Sequence, residues 1–167
     1  GGDRVLGLVR TSGGWRIDSS NDVFTARFGQ SLPLSEDFLK NGKPVTQALR
    51  MTVLSIHDAP ALPRQVAGKG KHWVRVAVRA LSLGNDPIQP KALDLSAFRS
   101  DGKQIYPAAR SPFDPTFASD DAEYRRGETA EGFLAFGVPD GLSLREIQLT
   151  PASGQGALRW VAPRNRK

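Results

Sequence analysis

Alternation of apolar and polar side chains is the dominant signal along this chain. From Trp73 to Leu81, Val74, Val76, Val78 and Ala80 share one parity while Arg75 and Arg79 take the other, the pattern of a strand buried on one face. Gln47 to Ile56 reads as its partner. There Leu49, Met51 and Val53 share a parity and Leu54 with Ile56 the opposite one, which predicts a bulge or burial on both faces. Between the two, His57 to Lys71 holds Pro60, Pro63, Gly68 and Gly70 and predicts a loop. Downstream, Leu93, Leu95 and Ala97 alternate into Phe98, and Asp101-Gly102 predicts a type I′ turn that returns Gln104 to Tyr106 antiparallel. Residues 107 to 122 contain three prolines and read as a long loop. Thr129 to Val138 alternates again, Leu144 to Leu149 follows after Pro139-Asp140-Gly141, and Ala157 to Val161 makes a short last strand.

The first forty residues give a weaker signal. Val5 to Val9, Trp15 to Ile17 and Val23 to Phe28 are short β-type pieces, expected as an edge hairpin or an appended arm. Only Ser35 to Gly42 reads as helical: Ser35 suits an N-cap, Glu36 and Asp37 suit the positive end of the dipole, and Asn41-Gly42 suits a stop. The expected fold is therefore all-β, an immunoglobulin-like antiparallel β-sandwich with an N-terminal extension and at most one short helix. The expected division is an extension over 1–41 carrying the short strands and the helix, a sandwich over 42–162, and a basic tail over 163–167.

Composition narrows the chemistry. The 167 residues include no cysteine, which excludes disulfides, thiolate nucleophiles and thiolate metal sites. Two histidines and one methionine leave little for metal handling. No apolar stretch approaches the roughly 18 residues that cross a bilayer as a helix. The chain opens with Gly1-Gly2, an unusual natural start, so a removed leader, either a signal peptide or a lipid-anchoring segment, is expected upstream. The net charge of +6 is unevenly spread: residues 41 to 110 hold eleven Lys/Arg against four acids, and residues 111 to 158 hold three against eight. Complementary surface segments fit this better than a continuous cationic stripe, and no nucleic-acid-binding motif accompanies the charge.

Each candidate site has a plainer reading. His57-Asp58 looks like part of a triad, but no nucleophile-elbow serine is present, so a strand-end histidine is expected. Met51, His57 and His72 would suit copper, yet their parities and the intervening loop argue against convergence. Asp114, Asp120, Asp121 and Glu123 form an acidic loop whose spacing matches no calcium-loop pattern. Trp15, Trp73 and Trp160, with Phe113, Phe117 and Tyr124, are the aromatic residues that could serve a surface. Trp73 shares the parity of Arg75 and Arg79, and these three are the expected protein-binding patch, set against packing of Trp73 under the N-terminal arm.

The ordered blocks Gly42-Lys43-Pro44-Val45, Leu49 to Ile56, Trp73 to Ala80, Phe98 through Asp101-Gly102 to Tyr106, and Arg126 to Pro139 resemble the telokin-like domains of unknown function found mainly in bacterial lipoproteins and secreted proteins. That family is similar in fold to the immunoprotective extracellular protein superfamily of mycobacteria. The resemblance covers about residues 42 to 150, and its most specific stretch is Gly127-Glu128-Thr129-Ala130-Glu131-Gly132-Phe133-Leu134-Ala135-Phe136-Gly137-Val138-Pro139. It departs at Ala80 to Leu83 and in the proline-rich loop. It implies an exported immunoglobulin-like sandwich and carries over no catalytic residue. The expected function is thus non-enzymatic binding in the cell envelope, to a protein partner, with no cofactor, no nucleic acid and membrane contact only through an upstream lipid anchor. The alternatives are a small-ligand or metal-ion carrier using the end loops, and a structural spacer of a lipoprotein.

Overall fold

A computed structural model describes residues 8–11, 14–17, 23–59, 66–118, 121–151 and 157–163. Among these residues there are eleven strands: β1 (Leu8–Thr11), β2 (Gly14–Ile17), β3 (Val23–Arg27), β4 (Ser31–Lys40), β5 (Lys43–Asp58), β6 (Lys71–Ser82), β7 (Leu95–Arg99), β8 (Gln104–Ile105), β9 (Thr129–Pro139), β10 (Leu144–Leu149) and β11 (Ala157–Val161). A single 3₁₀ turn over Ala92–Asp94 precedes β7. One layer is the sheet β4-β5-β6-β9, the other β3-β11-β10-β7-β8, and β1 with β2 forms a separate ribbon that lies against β4. The fold is an all-β sandwich. Every strand pair is antiparallel except β3 with β11.

The core is what the alternation predicts. Val74, Val76, Val78 and Ala80 of β6, and Ala130, Leu134, Phe136 and Val138 of β9, are buried and meet Leu95, Ala97, Ile147, Leu158 and Trp160 of the facing sheet. Removing each large apolar side chain from water contributes about 1.5–3 kcal/mol. Trp160 is fully buried, and its indole N–H donates to the Gln30 carbonyl at 2.9 Å, so its polar atom is satisfied. The parity change in β5 is a bulge: Val53 pairs with Val78 but Ser55 with Ala77, leaving Leu54 as the extra residue.

Two expectations are overturned by one turn. Residues 31–40 form strand β4 and not a helix over Ser35 to Gly42. Asn41 and Gly42 have φ of 53° and 74°, so both central residues of the hairpin are left-handed as a type I′ turn demands, and Lys40 faces Lys43 across it. An Asn-Gly pair ends a helix and reverses a hairpin for the same steric reason, and here the ten-residue pairing with β5 decides between them. The sandwich accordingly begins at β3 and not at residue 42. At Asp101-Gly102, where a type I′ turn was expected, only Gly102 has positive φ (85°), with its N–H on the Arg99 carbonyl at 2.9 Å. The β3–β4 connection crosses between the layers at Gly29 (φ 85°), whose N–H donates to Val53 at 2.8 Å. Residues 5–7 and the tail beyond 163 lie outside the described residues.

The proline-rich loop is fastened to the free side of β9. Phe133 donates to the Pro115 carbonyl and accepts from the Phe117 N–H, at 2.8 and 3.1 Å, and Ala108 donates to Ala135 at 2.8 Å. Phe117 is thereby driven into the core over Gly132, where an added Cβ would stand 2.5 Å from the Phe117 nitrogen. Glycine is required at 132 because the loop backbone occupies the place of a side chain.

Candidate functional site

Strand β6 projects Trp73, Arg75, Ala77 and Arg79 from the outer face of the four-stranded sheet. All three expected binding residues therefore share one surface. Arg75 lies opposite His57 of β5 and Ala135 of β9. Its guanidinium sits 4.8 Å from the ring centroid of Phe133 and 5.8 Å from that of Phe113, which the loop brings over the sheet. Such stacking suits a planar, weakly hydrated guanidinium. Arg79 pairs with Glu131 across the β6–β9 ladder, Nε to Oε2 3.1 Å. Trp73 is half-buried beside Gly137, and residue 67 lies over that glycine. Exposed Arg50 on β5 extends the cationic face, and exposed His57 lies on the same face of that strand.

The other candidates are dispersed. Met51 is buried in the core, His57 is exposed on the outer face, and His72 belongs to the inward parity of β6, so the three do not meet. His57 and Asp58, adjacent on β5, lie on opposite faces of the sheet. Asp58 instead faces His72, Oδ1 to Nε2 3.3 Å, while Asp140 faces the other ring nitrogen, Oδ1 to Nδ1 3.2 Å. His72 thus joins the end of β5 to the β9–β10 turn, a link that sequence separation hid. In the acidic loop Asp120 lies outside the described residues, Asp114 and Asp121 are exposed, and Glu123 accepts from Lys40 Nζ at 2.9 Å. Trp160 and Phe117 belong to the core, and Trp15 lies on β2. Among the described residues, no three His, Cys, Asp or Glu side chains converge as metal ligands would.

Concavities lie at opposite ends of the sandwich. A small cleft of about 40 Å³ lies between Glu36 and Gln47 on one sheet and Lys91, Asp94 and Thr150 on the other side. Burial pushes the Asp94 carboxyl above its ordinary range; Lys91 opposes the rise and Glu36 adds to it. The second is a hollow of about 980 Å³ between the ends of β5, β10 and β11, bordered by Phe28, Leu54, Ile56, Leu144 and Val161. No sequence signal marks it, because its walls come from four separated segments.

Solved structures share this architecture. The secreted protein MPT63 of Mycobacterium tuberculosis is similar at a TM-score of 0.58 and 16% identity, over 83% of this chain and 96% of that one. A candidate lipoprotein of Bacillus subtilis is similar at a TM-score of 0.50 and 15% identity, over 66% of this chain and 35% of that one. No protein-family model and no curated protein matches the sequence. At these identities the likeness is one of fold, and the chain shares its β-sandwich with a secreted mycobacterial protein.

Proposed function

We propose that the chain is an exported, non-enzymatic domain of the bacterial cell envelope, of the telokin-like immunoglobulin-fold kind, that binds another protein through the outer face of the four-stranded sheet. One observation carries the binding reading: Arg75 is stacked on Phe133 with Phe113 beside it, on the same face as Trp73. Aromatic residues and arginine are what binding hot spots are enriched in. An arginine already fixed against two rings loses little further freedom on docking. Arg50 and Arg79 lie on the same face, with Glu131 as the acid paired to Arg79, so an acidic partner surface would be steered here. Export is supported by fold likeness to a secreted protein and a candidate lipoprotein, and a lipid anchor upstream would tether the domain without involving the sandwich.

The test is retention of envelope proteins on the immobilised chain, compared with a Trp73→Ala/Arg75→Ala double variant. The expected result is a specific protein that the parent retains and the double variant loses, while the variant still melts cooperatively. Identical retention by both would remove the site. Recovery of the protein from the cytoplasm after expression from its complete gene would remove the export reading.

A further inference from the structure

We propose that the hollow at the open end of the sandwich binds a free long-chain carboxylate, with the acyl chain between the two layers and the head group on Arg145 or Arg27. This site is separate from the outer face discussed above.

The walls are apolar and unfinished. Phe28 and Ile56 pack against the core yet stay partly exposed, Leu54 is the extra residue of the β5 bulge, and Leu144 continues the buried face of β10. Val161 and Pro163 are exposed at the end of β11. An apolar chain entering here would cover side chains that the sandwich itself leaves wet, and roughly 25 cal/mol per Å² of apolar surface drives such burial. The volume of about 980 Å³ lies at the upper end of ordinary small-ligand sites.

Shape and charge select the ligand class. A neighbouring hollow of about 650 Å³, bordered by Thr25, Arg27 and Gln30, shares Val161, Ala162 and Pro163 with the first. Because the two hollows share that border, a slender chain can reach from one to the other where a compact ring system would occupy only one. Arg145 stands at one side and Arg27 at the other, both exposed. Among the described residues no carboxylate pairs with either guanidinium, whereas Arg79, Arg99 and Arg159 all have acidic partners. No acidic side chain borders either hollow among the described residues. Two cations without an acidic partner among the described residues, over an apolar floor, complement a ligand with one anionic end, and a carboxylate matches the guanidinium fork. Ser55 and Ser143 at the border add hydroxyls that can donate to it.

The experiment titrates the full chain with cis-parinaric acid, a fluorescent polyunsaturated fatty acid, and displaces it with palmitate or hexadecanol. Saturable binding of one probe per chain is expected, with palmitate displacing at least tenfold better than hexadecanol. The Arg27→Gln/Arg145→Gln variant should bind the probe about tenfold more weakly while melting like the parent. Leu54→Lys, placed at the bulge where the fold tolerates an extra residue, should abolish binding. Absence of saturable binding overturns the proposal, as does equal displacement by acid and alcohol or an unchanged affinity in the arginine variant. Adsorption to phosphatidylglycerol vesicles without uptake of the free acid would also overturn it, marking the arginines as a membrane-surface contact.

Discussion

At the end of the sandwich that carries the Asn41-Gly42 turn, loops bring Ile88 and Tyr124 onto the core, and Phe117 enters from the β9 flank; Ile88 and Phe117 retain no exposed surface. At the opposite end Phe28, Ile56 and Val161 stay partly exposed around a large hollow. The same two sheets supply both ends, so the difference lies in the connections. Long loops between β6 and β7 and between β8 and β9 have enough chain to fold back and plug the first end. At the second end the turns Phe28–Gln30 and Pro139–Leu142 are tight, and of the longer β5–β6 connection residues 60–65 lie outside the described residues. Where the long β6–β7 connection folds back, the end of the sandwich is filled by its side chains.

The contrast is most readily broken at Phe117. Phe117→Ala should cost about 3–5 kcal/mol in urea unfolding, because it empties a filled position in the plug. Gly132→Ala should act in the same direction, since its methyl group displaces the Phe117 backbone. If Ile56→Ala at the open end cost as much, the two ends would be equally packed; the expected loss is only about 1–2 kcal/mol, because that side chain is only partly buried. The smallest effects are pH-dependent and opposite in sign. Asp94, at the plugged end, has its carboxyl raised by burial, so its contribution to stability is full below the ordinary carboxylate range and is lost as pH rises through the raised value. Asp101, in the β7–β8 turn at the open end, is held at about 2 by its hydrogen bond to Arg99, so its contribution is present above the ordinary value and disappears as pH falls from about 4 towards 2. Melting curves against pH should show Asp94→Asn gaining on the parent above that range and Asp101→Asn losing most at neutral pH. Parallel profiles for the two variants would contradict the assignment.

Most of the sandwich was legible because burial on one face imposes a period of two. Val74 to Ala80 and Ala130 to Val138 needed nothing but their own spacing, and the parity change at Leu54 announced the bulge. Strand β4 was not legible. Its Ser-Glu-Asp run has the local chemistry of a helix start, and only pairing with β5 over Ser31 to Lys40 identifies it. Gly132, a glycine inside a strand, was the available sign of a close backbone approach. The placement of Trp73, Arg75 and Arg79 on one face followed from parity, but the rings that hold Arg75 come from residues 38 and 58 positions away in sequence, beyond the reach of local pattern. The open hollow was invisible for the same reason.

The fastening of the proline-rich segment along β9 has a consequence for how these molecules coexist. Phe133 has both its donor and its acceptor on that side occupied from within its own chain, so a strand from a second molecule has nothing to bond to there. At Phe133 that flank of the layer is self-terminating, which withdraws this stretch of edge from sideways pairing.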